Sequence, residues 1–163
     1  MRTYHEADLA HWETLAVYRL VITDPQAFVR NLLGCLPVGT RVSIEGELSS
    51  KIKPTLQPSL EETQQLKRNT LAPEMDFWVF RLDEKSLRYL QQELVPLIGN
   101  GDAVLHLLAE YQSKLLFGAH DKFDEESTHI ACGASIPVSL LEEQRQLTTL
   151  HTYQPLPLAK NPT

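Results

Sequence analysis

The sequence lacks the features that would place the protein in a membrane or in an oxidising compartment. Its two cysteines, Cys35 and Cys132, are too few for a disulfide framework. Its apolar runs, such as residues 103–109, are far shorter than the roughly 20 residues that a membrane-spanning helix needs. Residues 1–8 are polar and acidic, where a signal peptide would be apolar. These absences predict a cytoplasmic protein that does not bind membranes.

Positive charge is also scarce. The chain has 15 Lys and Arg against 21 Asp and Glu, which gives a formal net charge of −6. Nucleic acids and anionic membrane surfaces select faces that are rich in Lys and Arg. The acidic balance therefore predicts that nucleic acid is not a partner, and it permits a basic protein or a metal cation.

Catalytic motifs are missing as well. The sequence contains no glycine-rich phosphate loop and no Gly-x-Ser-x-Gly nucleophile turn. We therefore assign no catalytic residue, expect no cofactor in the favoured interpretation, and consider an enzyme less favoured than a binding protein.

The chain of 163 residues, 42% of them hydrophobic, has the size of one domain with a substantial core. We predict a single domain over residues 1–163, with three irregular parts. These are an N-terminal lead-in, a proline-bracketed surface excursion that contains a short helix at 59–68, and a frayed proline-containing tail; they cover residues 1–13, 49–73 and 148–163.

The hydrophobic pattern predicts an α+β fold, in which a single mixed, largely antiparallel sheet of about five or six strands packs against three or four helices. Alternation and β-branched residues indicate strands at residues 15–23, 41–48, 76–82, 103–110, 114–119 and 128–135. Apolar spacing and capping residues indicate helices that begin near Pro25, Asp83 and Ser139. Both faces of the strand at 76–82 are apolar, so we expect it to be central.

Residues 120–129 contain two imidazoles and four carboxylates, the densest set of reactive groups in the chain. The simplest interpretation is a solvated acidic loop. As a protein-recognition surface, which would steer a basic partner, its residues would be Asp121, Phe123, Asp124, Glu125 and Glu126. As a site for a divalent metal, its ligands would be His120, Asp124 and His129, because imidazole and carboxylate groups bind such ions.

Two further positions carry expectations about burial. Glu45 and Glu47 alternate with apolar residues, so we place both on the solvent face of a strand. His106 lies between apolar neighbours and is expected to be a core histidine that hydrogen-bonds to a polar group.

We conclude from the sequence that the protein is a small acidic protein-binding module, for example of the immunity or antitoxin type. One alternative is a metal-assisted hydrolase that uses the loop from His120 to His129. Another is a structural or oligomer-forming subunit, which would require an exposed apolar edge strand at residues 77–82. The oligomeric state stays open.

Overall fold

The computed structural model describes residues 11–70 and 75–156. Within these residues the chain forms one antiparallel sheet of seven strands with three α-helices, so the α+β class is confirmed and the strand number is higher than predicted. The strands are β1 (Val17–Ile22), β2 (Arg41–Gly46), β3 (Asp76–Arg81), β4 (His106–Tyr111), β5 (Lys114–Ala119), β6 (Thr128–Ala131) and β7 (Leu150–Pro155). Their order across the sheet is β3-β2-β4-β5-β6-β1-β7.

The three α-helices begin at or next to the predicted residues, and side chains cap the first two. They are α1 (Pro25–Cys35), α2 (Glu84–Tyr89) and α3 (Ser139–Gln146), and α2 continues as a π-helical turn, Leu90–Leu94, and a 3-10 turn, Val95–Leu97. Asp24 caps α1 by accepting a hydrogen bond from the backbone N–H of Ala27 at 3.1 Å. Asp83 and Ser86 form a reciprocal capping box at the start of α2.

The two faces of the sheet are covered differently. On the helical face, side chains from the three helices pack against the strands, and Phe28, Leu32, Trp78 and Phe117 belong to this large core. The opposite face, which we call the outer face, carries a smaller apolar group that includes Trp12, Leu66, Phe77, Leu108 and Leu115. Irregular chain rather than helix covers the outer face.

Strand β3 lies at the edge of the sheet, so its predicted central position is wrong. Both of its faces are apolar because the outer face is also covered. The backbone of Ser59 pairs with that of Val79 through two hydrogen bonds of 2.9 and 2.8 Å, which protects part of the free edge. The apolar side chains at positions 77–80 are buried.

The predicted helix at residues 59–68 does not form. Instead, this segment crosses the outer face without regular helix, and Leu66 within it is fully buried. The capping-box pattern failed because its two polar residues bond elsewhere. Ser59 pairs with β3, and the Glu62 carboxylate accepts a hydrogen bond from the backbone N–H of Arg68 at 2.9 Å.

The predicted frayed tail contains a strand instead. Strand β7 pairs with β1, and its Thr152 and Tyr153 have the β-branched and aromatic side chains that strands favour. Within the predicted N-terminal lead-in, Trp12 is buried and bridges Leu115 of β5. The parts of these predictions that fall on residues 1–10, 71–74 and 157–163 lie outside the described residues. No helix in the described ranges has the length and apolarity to cross a membrane.

Candidate functional site

The acidic loop, residues 120–128, connects β5 to β6 and is held in place by its own backbone. The N–H of Asp124 donates to the carbonyl oxygen of His120 at 3.1 Å, and the hydroxyl of Thr128 donates to the carbonyl oxygen of Asp124 at 2.7 Å. The N–H of Lys122 donates to the carbonyl oxygen of Leu105, which ties the loop to the entry of β4. The loop therefore has a defined conformation.

Three consecutive residues of this loop adopt left-handed backbone conformations. Asp121, Lys122 and Phe123 have φ values of 51°, 59° and 65°. Such a turn is uncommon for residues with side chains, so the surrounding contacts must hold it. Phe123 is half-buried against the core on the helical face, and its ring helps to anchor the turn.

The carboxylates of the loop have different environments. That of Asp124 accepts a hydrogen bond from the N–H of Glu126 at 3.2 Å and caps the 3-10 turn Glu125–Ser127. Asp121, Glu125 and Glu126 are exposed. Glu126 lies 3.6 Å from Arg19, a partly exposed ion pair that contributes little stability. Three carboxylates therefore face solvent, while the fourth is committed to the loop structure.

Two buried histidines lie beside the loop. His106 on β4 and His120 at the end of β5 have ring centroids 5.2 Å apart. The Nδ1 atom of His106 accepts a hydrogen bond from the N–H of Asp121 at 3.2 Å, which confirms the predicted core histidine with a polar partner. Burial lowers the pKa of His106, against the opposing effects of Glu45 and Asp121. A neutral imidazole thus supports the first residue of the turn.

Glu45 is buried, so its expected place on a solvent face is wrong. Its side chain accepts hydrogen bonds from the backbone N–H groups of Asn69 and Thr70 and from the Thr70 hydroxyl. The alternation placed it on the correct face of β2, but the sequence did not predict that residues 59–70 would cover that face. A local clue was Leu66, an apolar residue within a polar stretch.

Glu110 on β4 is a second buried carboxylate on the outer face, which the sequence did not single out. Its Oε2 atom accepts hydrogen bonds from the Thr63 hydroxyl and from the backbone N–H of Gln65, both at 2.7 Å. Together, Glu45 and Glu110 fasten the covering segment to the sheet at two points.

The three predicted metal ligands occupy distinct environments. His120 and His129 are buried at neighbouring strands, whereas Asp124 caps the 3-10 turn. The ring of His129 packs edge-on against Trp12, with centroids 6.3 Å apart. Burial, with the nearby charge of Arg19, lowers the pKa of His129 to about 4. No cluster of three or more His, Cys, Asp or Glu residues with metal-holding geometry occurs in residues 11–70 and 75–156.

The site is therefore an ordered acidic turn beside a pair of buried imidazoles. Comparison with known proteins found no matching family model, no matching curated protein and no matching solved structure.

Proposed function

We propose that this protein is a binding module that recognises a basic partner protein through the acidic loop. The observation that carries the proposal is the separation of roles among the loop carboxylates. Asp124 caps the turn, whereas Asp121, Glu125 and Glu126 are exposed to a partner, with Glu126 in a weak ion pair with Arg19. Immunity and antitoxin proteins, which block basic toxin domains, are the type of module that this chemistry fits.

The fixed conformation of the loop favours binding. A partner that meets an ordered loop does not lose affinity to the ordering of its backbone. Exposed carboxylates attract a basic surface over about 10 Å at moderate ionic strength, which accelerates association. The net charge of −6 acts in the same direction.

The test is affinity capture from the native cell lysate with the wild-type protein and with the triple variant Asp121→Asn, Glu125→Gln, Glu126→Gln. Asn tolerates the left-handed conformation at position 121, and Asp124 is kept so that the turn stays capped. We expect mass spectrometry to identify a basic protein that the wild type recovers and the variant loses. Recovery should also fall as the salt concentration is raised.

The matched control is the variant Glu84→Gln, Glu93→Gln, Glu143→Gln. It removes the same amount of charge from exposed residues outside the loop, so it should retain the partner. If both triple variants lose the partner equally, general charge rather than the acidic loop is responsible. If neither loses it, the acidic loop is not the binding surface.

A further inference from the structure

A polar groove of about 540 Å³ lies on the outer face, at the opposite end of β4 and β5 from the acidic loop. Its lining includes Arg41 of β2, Arg81 of β3 and Glu110 of β4. The ladder places Arg41 directly opposite both Arg81 and Glu110, so the three side chains form one row across neighbouring strands. The row presents two positive groups followed by a negative one.

Neither arginine of this row is held in a close ion pair. Within the described residues, neither guanidinium forms an ion pair with a carboxylate. Like charges directly opposite each other on a sheet are destabilising, and both side chains belong to exposed residues. The hydrogen bond from the backbone N–H of Ser86 lowers the pKa of Asp83, and the charge of Arg81 adds a smaller effect in the same direction. The Asp83 carboxylate is occupied in capping α2. The groove therefore offers a paired site for an anionic group.

Glu110 forms no close ion pair with its neighbour Arg41, and its carboxylate is instead held by the covering segment. Both of its hydrogen bonds from described residues end on Oε2, from Thr63 and Gln65. No described residue donates a hydrogen bond to its Oε1 atom. Glu61 and Glu62 also line the groove and would repel an anion. A dianion such as phosphate should therefore bind more weakly than a ligand that carries both signs of charge.

We propose that this groove binds a small zwitterion of the α-amino acid or short-peptide class. The ligand carboxylate would lie between the guanidiniums of Arg41 and Arg81, which match carboxylates through paired N–H donors. The ligand ammonium would donate a hydrogen bond to Oε1 of Glu110. This site is separate from the acidic loop, so it does not depend on the proposed partner binding.

The test is a ligand-binding titration of the full chain, followed by NMR, with single L-α-amino acids and glycylglycine. Acetate, methylammonium and inorganic phosphate serve as probes with one kind of charge. We expect at least one zwitterion to bind with saturation at a Kd of about 1 mM or lower. Acetate should bind about tenfold more weakly, because it lacks the group that Glu110 would hold.

Variants separate the two halves of the site. Arg41→Gln and Arg81→Gln should each weaken zwitterion binding about tenfold or more, through loss of a charge-assisted hydrogen bond. Glu110→Gln should remove the preference for the zwitterion over acetate. Arg30→Gln, which changes an exposed arginine on α1 outside the groove, should bind as the wild type does.

Several outcomes would overturn the proposal. These are no saturable binding of any zwitterion, tighter binding of phosphate than of every zwitterion, and equal weakening by Arg30→Gln. Thermal unfolding by circular dichroism establishes that each variant is folded. If Glu110→Gln does not fold, the two arginine variants still decide whether the site exists.

Discussion

At the residue scale, the buried imidazoles make stability depend on pH. An unfolded histidine has a pKa of about 6.5, whereas burial lowers that of His129 to about 4 in the folded protein. As pH falls from about 6.5 to about 4, the unfolded chain therefore binds a proton that the folded chain does not. The contribution of His129 to the free energy of unfolding should be fully present above this pH window and should fall within it by about 3 kcal/mol. His106 acts in the same direction.

We expect His129→Gln to reduce the difference between the free energies of unfolding at neutral pH and at the acidic end of that window. Urea denaturation at the two pH values measures this difference, so any general destabilisation by the substitution cancels. His151→Gln is the matched control, because His151 is exposed on β7, and it should leave the difference near that of the wild type. An unchanged pH dependence in His129→Gln would count against the argument.

At the element scale, β2 ends at a glycine for a steric reason. A Cβ atom at Gly46 would collide with the backbone carbonyl oxygen of Ala103. Because the colliding atom belongs to the backbone, the clash cannot be relieved by the movement of a flexible side chain. We expect Gly46→Ala to lower the free energy of unfolding by about 2–4 kcal/mol, measured by urea denaturation.

Gly34→Ala provides the comparison. Gly34 lies within α1, and a Cβ atom there would meet Gln91 at an ordinary contact distance of 3.6 Å. Alanine in a helix is favoured over glycine by about 0.5–1 kcal/mol, so this substitution should be neutral or stabilising. A similar loss of stability in both variants would show that the close approach of Ala103 is not the cause.

The elements that the sequence predicted best are those whose signals are local. The limits of β5 match the predicted 114–119, and α1 begins at the predicted Asp24-Pro25 cap. The sequence carries no local signal for the turn between β4 and β5, because Gln112 and Ser113 adopt left-handed conformations without glycine. Here the pairing of two strongly apolar strands determines the turn.

The errors arose where distant parts of the chain meet. Glu45 was predicted to face solvent because alternation reports only the face of a strand, and not what covers it. The acidic loop was located from its composition. The use of Asp124 as a cap and the support from His106 depend on contacts that no local pattern encodes. The Arg41, Arg81 and Glu110 row was missed because its members come from three strands.

At the scale of the whole molecule, the two proposed sites lie at opposite ends of the β4–β5 hairpin. The acidic loop follows the last residue of β5, whereas Glu110 lies near the turn that joins the two strands. The pairing of these strands therefore fixes the distance between the sites. Substitutions in the groove should therefore change zwitterion binding without changing capture of a partner, and substitutions in the acidic loop should do the reverse.

The position of β1 in the sheet sets the order in which the protein can fold. This strand lies between β6 and β7, and its partners Ala131 and Tyr153 come from the last third of the chain. Pairing over such a separation closes a long loop and is slow. In pulse-labelled hydrogen exchange during refolding, we expect the amides of the β4–β5 hairpin to become protected before those of β1. Simultaneous or earlier protection of β1 would contradict this order.

The same arrangement has a consequence during synthesis. Strand β1 is synthesised before either of its neighbours, since about 100 residues separate it from β6 and still more separate it from β7. Its Val17 and Leu20, fully buried in the folded protein, stay exposed to solvent throughout that interval. The nascent chain therefore carries an unpaired apolar strand until β6 has been made, and this strand is the segment that we expect a chaperone to cover.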